Sequence, residues 1–291
     1  MRRDFTQRIK SFSTLWALLL LLMFMIPRND PSESVRRSLI FCAGALVPSL
    51  FLSSVLGKVL ASGIRLQTKY ADIVIILYGM LCGFPFGAIT AGELYKNGSV
   101  SRERAEKITA FSNTASASFI VSYVGASSLG SVKAGLFLLA GNALVTFLWY
   151  LILRVSSPKE PNIHIMNTVH TKNIVSAIAE SSQTMLAVCG CVVFFSSVCD
   201  LICGNITNDV IKSMVHGFFE ISGGIKEACG LKPGTSYILS AIFIGWSGLS
   251  VMFQVAFASG SDVRTRCFVL GRIFQASAMG VYAVLTKKYV I

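Results

Sequence analysis

Charge is what this sequence has least of. Asp, Glu, Lys and Arg supply 14% of its 291 residues, against roughly a quarter in soluble domains, while hydrophobic residues supply 53%. A chain so poor in charge cannot cover a globular surface, and its long apolar runs fit a bilayer, where each crossing takes about 20 residues. Catalytic motifs are missing as well. There is no HExxH, GxSxG, Walker or dinucleotide fingerprint, and two of the three histidines, His164 and His170, lie in a polar linker, apart from His216. Neither an enzyme nor a cofactor is expected. The eight cysteines form no CxxC, pair with no histidine at ligand spacing and lie in or beside apolar runs. They read as small apolar helix residues, and no metal is expected from them. The net charge is +12, but Lys and Arg are dispersed over short loops without interleaved aromatics. That pattern indicates topology and lipid headgroups, not nucleic acid.

What is present concentrates in 78–119. Gly79, Gly83 and Gly87 recur every four residues, which bares one helix face for close approach, and Pro85 breaks or kinks the same run. Within a membrane, freed backbone groups are tolerated only when buried in protein or facing a watery cavity. The following segment crowds Ser112, Asn113, Thr114, Ser116 and Ser118 between apolar flanks, and lipid cannot satisfy them. A solute site is one reading; a kinked helix packed through its glycines, with no ligand, is the other.

In chain order, a basic segment and an apolar run over 15–26, ended by Pro27, predict a short uncleaved first span with a cytoplasmic N-terminus. The run 38–64 carries Pro48 and Ser49 at its middle and is either a re-entrant hairpin or one kinked span. Ser101 is placed to cap a helix whose first turn pairs Arg102 with Glu106 and Glu103 with Lys107. A linker over 154–173, with Pro158 and Pro161 and no periodicity, is the one clear boundary.

Beyond it the pattern recurs. Phe51-Leu-Ser-Ser-Val55 returns as Phe194-Phe-Ser-Ser-Val198, and Gly83-Phe-Pro-Phe-Gly87 loosely as Gly217-Phe-Phe-Glu-Ile-Ser-Gly223. Phe111-Ser-Asn-Thr-Ala-Ser116 returns as Ile244-Gly-Trp-Ser-Gly-Leu-Ser250, and Leu139-Ala-Gly-Asn142 as Val269-Leu-Gly-Arg272. Four echoes in one order indicate duplication. The fold expected is an all-α polytopic membrane protein: an N-terminal segment and span over 1–37, a first half over 38–153, a cytoplasmic linker over 154–173 and a second half over 174–291. If 38–64 and 174–202 are hairpins, each half keeps three transmembrane helices and the halves form inverted repeats. Loop charge favours this with 96–107, 154–173 and 259–266 inside, although Arg28, Arg36, Arg37, Arg65 and Lys69 then fall outside.

The block GFPFGAITAGELYKNGSVSRERAEKITAFSNTASASFIV, with GWSGLSVMFQ over 245–254 and LGR over 270–272, resembles the sporulation integral membrane proteins of the YlbJ or SpoVV type, within the nucleoside-recognition or Gate-domain group. Ser112 and Thr114 depart from that pattern, where Cys and a second Asn are usual. The resemblance implies a transporter-like fold related to concentrative nucleoside carriers. It further implies movement of dipicolinic acid, a small dicarboxylate, across the outer forespore or mother-cell membrane; a homo-oligomer is left open. Half-helix N-termini near the midplane suit carboxylates. Pro48, Ser49, Gly83, Pro85 and Gly87 would then shape a first half-site completed by Asn113, Thr114 and Ser116, and Gly223, Gly224, Trp246, Ser247, Ser250 and Gln254 a second. Glu220 and Arg272 stand inside apolar runs, where an isolated charge costs about 2.5–3.5 kcal/mol. Arg272 either neutralises substrate or pairs with Glu220, which could also carry a coupled proton; a structural ion pair is the alternative. The rival functions are a nucleoside permease and a non-transporting sporulation scaffold.

Overall fold

The computed structural model describes residues 31–63, 71–96, 98–155, 173–204 and 206–290. Every regular element among them is helical. The expected first span and most of the 154–173 linker lie outside the described residues. Among the described residues, four helices are long and apolar enough to cross a membrane: α7 (Val132–Val155), α8 (Ile174–Cys203), the paired α11 (Pro233–Trp246) and α12 (Gly248–Ser259), and α13 (Arg266–Val290). Their outward faces carry bare apolar side chains such as Leu136, Leu144, Phe147, Leu186 and Val281, as lipid requires and water would not. The protein is integral and multi-pass.

The segment 38–64 does not fold back. α1 (Pro31–Phe41) passes through a wider turn at Cys42–Leu46 into α2 (Val47–Gly63), and the two arms meet at 58°. Pro48 accounts for the bend, since it withholds a backbone donor at the joint. Beyond it the chain continues along α8. Ser34 donates to Asp200 at 2.6 Å near one end of that helix; Ser54 contacts Ser181 at 3.2 Å and Lys58 pairs with Glu180 at 3.9 Å near the other. The bent helix therefore runs antiparallel to α8 over nearly its whole length. α8 itself is one unbroken helix of 30 residues, about 45 Å long, so the hairpin expected over 174–202 is also absent. Its apolar run has no backbone breaker to turn it.

The reversals lie elsewhere, in pairs of helices too short to cross. α3 (Ala71–Cys82) and α4 (Phe86–Lys96) have 12 and 11 residues, about 18 Å at most, and are joined by Gly83-Phe84-Pro85. Asp72 meets Arg104 at the start of α5 (Arg102–Ser112), while Gly79 and Gly87 both abut Ser112 at its end. α3 is thus parallel to α5, α4 antiparallel to it, and the chain doubles back at Pro85. The second pair, α9 (Asp209–Phe219) and α10 (Ile221–Ala228), doubles back at Glu220. Lys212 pairs with Glu227 at 3.0 Å, and Ser213 donates to the Gly224 carbonyl at 3.0 Å. Only bare glycine allows this approach, because a Cβ on Gly224 would stand 2.2 Å from the Gly217 Cα.

Each pair is followed by a helix interrupted at its middle. α5 stops at Ser112, extended backbone begins at Asn113, and α6 (Phe119–Ser128) resumes. α11 stops at Trp246, Ser247 adopts a left-handed conformation (φ 72°), and α12 resumes. Each half closes with a long helix, α7 of 24 residues or α13 of 25. These two pack antiparallel: Tyr282 donates to the Phe137 carbonyl at 3.0 Å, and Trp149 stacks on Phe274 at 5.3 Å. Ser101 caps α5 by accepting from Arg104 N, and both predicted first-turn pairs, Arg102–Glu106 at 3.2 Å and Lys107–Glu103 at 2.7 Å, are present.

Candidate functional site

The two reversals and the two helix breaks meet. Gly83, at φ +75°, lets the first reversal lie against Ser116, where a Cβ would approach within 3.0 Å of the Ser116 Cβ. Asn113 ties the same reversal down by accepting from Ala88 N at 3.1 Å and donating to Thr109 O at 2.8 Å. On the other side, Gly248 (φ +85°) lets the second break lie against the second reversal, where a Cβ would stand 3.1 Å from the Ile221 nitrogen, and Trp246 donates to Phe218 O at 3.0 Å. Both breaks are anchored from the long helices. Asn142 on α7 accepts from Thr114 at 2.9 Å, and Arg272 on α13 donates to Ser247 at 3.1 Å. In the sequence echoes Thr114 stands opposite Ser247 and Asn142 opposite Arg272, so the same two positions form the same buried contact in each half.

Between these parts lies a cavity of about 40 Å³, lined by Phe84, Ser116, Phe119, Glu220 and Gln254 with apolar cover from Leu46, Leu50, Val188 and Val192. At 10–15 Å³ of this volume per water, it has room for about three. A second cavity, of about 90 Å³ and more polar, lies between α1, α8, α9 and α10 and is lined by Ser38, Tyr123, Asp200, His216, Glu220 and Lys226 among others. Glu220 borders both. It is 2% exposed and caps α10, accepting from Ser222 N at 3.0 Å and Gly223 N at 2.7 Å. Its charge therefore rests on backbone donors and a helix N-terminus, and not on Arg272, with which it makes no ion pair.

Arg272 is fully buried, and its Nε and Nη2 make no hydrogen bond. The guanidinium lies 4.9 Å from the Phe268 ring centroid and 5.7 Å from that of Phe84. Phe84 also lines the smaller cavity, so the ring at the first reversal stands against both the cavity and the cation. Such contacts soften the burial of a cation but leave its donors unmet.

Of the residues singled out in the sequence, Ser116, Glu220 and Gln254 line the inner cavity and Gly223 the polar one. Gly83, Pro85, Gly87, Asn113, Thr114, Ser247 and Arg272 shape or hold the breaks behind them, while Ser250 accepts from Gln254 at 3.1 Å. Trp246 stacks on Phe218 at 5.4 Å, away from the cavity. Pro48 is exposed and lines neither cavity; it serves the bend. The Ser49 side chain lies outside the described residues. Two residues escaped the sequence reading. Lys58, 5% exposed, pairs with Glu180, and its place in an apolar run was a visible signal. Gln275, one turn beyond Arg272, is buried with neither side-chain atom hydrogen-bonded.

The chain is similar, at 24% identity over 258 residues, to the sporulation integral membrane protein YlbJ of Bacillus subtilis (strain 168), the type its motifs point to. The match covers 74% of this chain and 63% of that relative. No family model matches the chain, and no solved structure matches it.

Proposed function

We propose, taking the likeness to a sporulation integral membrane protein as premise, that the protein is a membrane carrier for a small organic dianion, with dipicolinate as its solute during sporulation. The observation that carries the anion is Arg272: a fully buried guanidinium with two unmet nitrogens, one aromatic ring away from a cavity. Burying a cation without a partner is costly. An anion that supplies two acceptors offsets that cost and gains bidentate geometry.

In this reading the α3–α4 and α9–α10 pairs are re-entrant hairpins entering from opposite faces, α5–α6 and α11–α12 are broken spans, and the halves are inverted repeats. The antiparallel contact between the bent first helix and α8 supports this, because matching elements oppose one another only if each half crosses an odd number of times. The cavity of about 40 Å³ is too small for a dicarboxylate, so the conformation is closed around its centre. Opening requires the Phe84 reversal to move, which uncovers Arg272. Glu220 holds the α10 N-terminus that a second substrate carboxylate would seek. Protonation of Glu220 would leave it one good acceptor oxygen and free one of the two backbone donors, Ser222 N or Gly223 N, for that carboxylate, which couples a proton to the anion through a shared hydrogen bond.

Vesicles reconstituted with the purified protein and assayed with labelled dipicolinate and labelled uridine test the proposal. Saturable dipicolinate flux supports it. Uridine flux would replace it with a nucleoside permease, and no flux of either with a non-transporting scaffold.

A further inference from the structure

α8 and the α9–α10 pair are joined at a second place, which the sequence spacing could not show. Cys199 and Cys203 lie one turn apart on α8, both buried, with their sulfurs 3.7 Å apart. His216, 5% exposed, comes from α9, and its ligand nitrogen lies within 4.8 Å of both sulfurs. Its Nε2 has no hydrogen-bond partner, a costly state for a buried polar atom, and the nearest acid, Asp200 Oδ1, is 3.7 Å away. The other oxygen of Asp200 is held by Ser34 at 2.6 Å and Arg37 at 3.1 Å.

We propose that Cys199, Cys203 and His216 form a binding site for Zn²⁺ that clamps α8 to the α9–α10 hairpin. Two thiolates bonded at about 2.3 Å with a tetrahedral angle stand about 3.8 Å apart, which is the separation of these sulfurs. Two ligands one helical turn apart on one face and a third from a facing element is an economical way to build three corners of a tetrahedron. Binding releases the two thiol protons, and two thiolates then balance the dication, so the site is neutral where burial penalises net charge. The polar cavity, lined by His216 and Asp200, gives an ion its way in. Because the His216 carbonyl accepts from Glu220 N at 2.7 Å, a metal on His216 would fix the turn that carries Glu220. The site stands whether or not the solute is dipicolinate.

The test uses the full-length protein in detergent, kept reduced and titrated with Co²⁺ as the spectroscopic probe and then with Zn²⁺. One equivalent of Co²⁺ is expected to give thiolate charge-transfer absorption and the visible bands of a tetrahedral ion, both bleached by Zn²⁺. Cys199→Ser, Cys203→Ser and His216→Ala should each weaken binding by more than the roughly 10–100-fold that outer-shell changes cost, while Cys191→Ser on the same helix should not. Binding retained in all three variants, or lost equally in Cys191→Ser, would overturn the site. A measurement on the wild type guards against variants that fail to fold. Zn²⁺ should slow maleimide alkylation of Cys199 and Cys203 at least about tenfold relative to Cys191, and equal slowing or none would also overturn it.

Discussion

At the scale of single residues, Arg272 and Glu220 separate a transport site from a structural one. A structural arginine would be satisfied by its surroundings, and removing it would cost stability. Arg272 has one hydrogen bond and two unmet nitrogens, so Arg272→Gln sheds a desolvation burden, and the thermal transition of the purified variant should not fall. Transport should suffer instead. A charge-assisted hydrogen bond contributes about 1.5–3 kcal/mol, so apparent affinity for dipicolinate should drop roughly 10- to 150-fold; a variant with normal uptake would remove Arg272 from the site. Glu220→Gln makes the complementary prediction. Glutamine keeps one acceptor oxygen for the Ser222 or the Gly223 N–H and cannot exchange a proton at neutral pH, so uptake driven by an imposed proton gradient should lose its dependence on that gradient while protein level stays normal. An unchanged dependence would place the coupled proton elsewhere.

At the scale of elements, the glycines decide which helices can reverse. A Cβ on Gly79 would stand 1.8 Å from the Ser112 carbonyl oxygen and one on Gly224 2.2 Å from the Gly217 Cα, whereas one on Gly190 meets nothing within 4 Å. Gly79→Ala and Gly224→Ala should therefore each cost at least about 1–3 kcal/mol through overpacking, and Gly190→Ala should gain about 0.5–1 kcal/mol of helix stability. Thermal unfolding of the three variants in detergent checks both signs. The same glycines show what sequence could and could not convey. Their recurrence was legible as close packing, and Pro85 as a break, because both follow from local backbone chemistry. That Gly79 and Gly87 press on one residue from two antiparallel helices was not legible, since lipid-facing side chains are apolar whether a helix crosses or returns. Pro48 misled for the same reason: a proline marks a disturbance of the helix, and only the contacts with α8 distinguish a bend from a reversal. Cys199 and His216 lay beyond reach, because a ligand set split between facing helices leaves no spacing to read.

At the scale of the whole molecule, the position of the reversals fixes which loops share a side. With α3–α4 as the first re-entrant pair, as proposed, the chain crosses the membrane once before residue 64, and the connection carrying Arg65 and Lys69 is expected on the side of the basic loops at 96–107 and 259–266. With a hairpin at 38–64, those two cations sit on the opposite side and weaken the charge bias; with the reversal at Pro85, they strengthen it. The four echoes lose nothing by the change, because each still joins equivalent places: the helix packed on its counterpart, the reversal, the break and the closing helix. Lys69→Cys discriminates the two arrangements directly. In right-side-out vesicles a membrane-impermeant maleimide should leave Cys at 69 unlabelled while labelling Lys232→Cys, and in inside-out vesicles the reactivities should exchange, with Arg264→Cys following position 69. If position 69 is instead labelled together with position 232, the chain crosses the membrane an even number of times between them, and α3–α4 and α9–α10 cannot both be the re-entrant pairs beside crossings at α5–α6, α7 and α8.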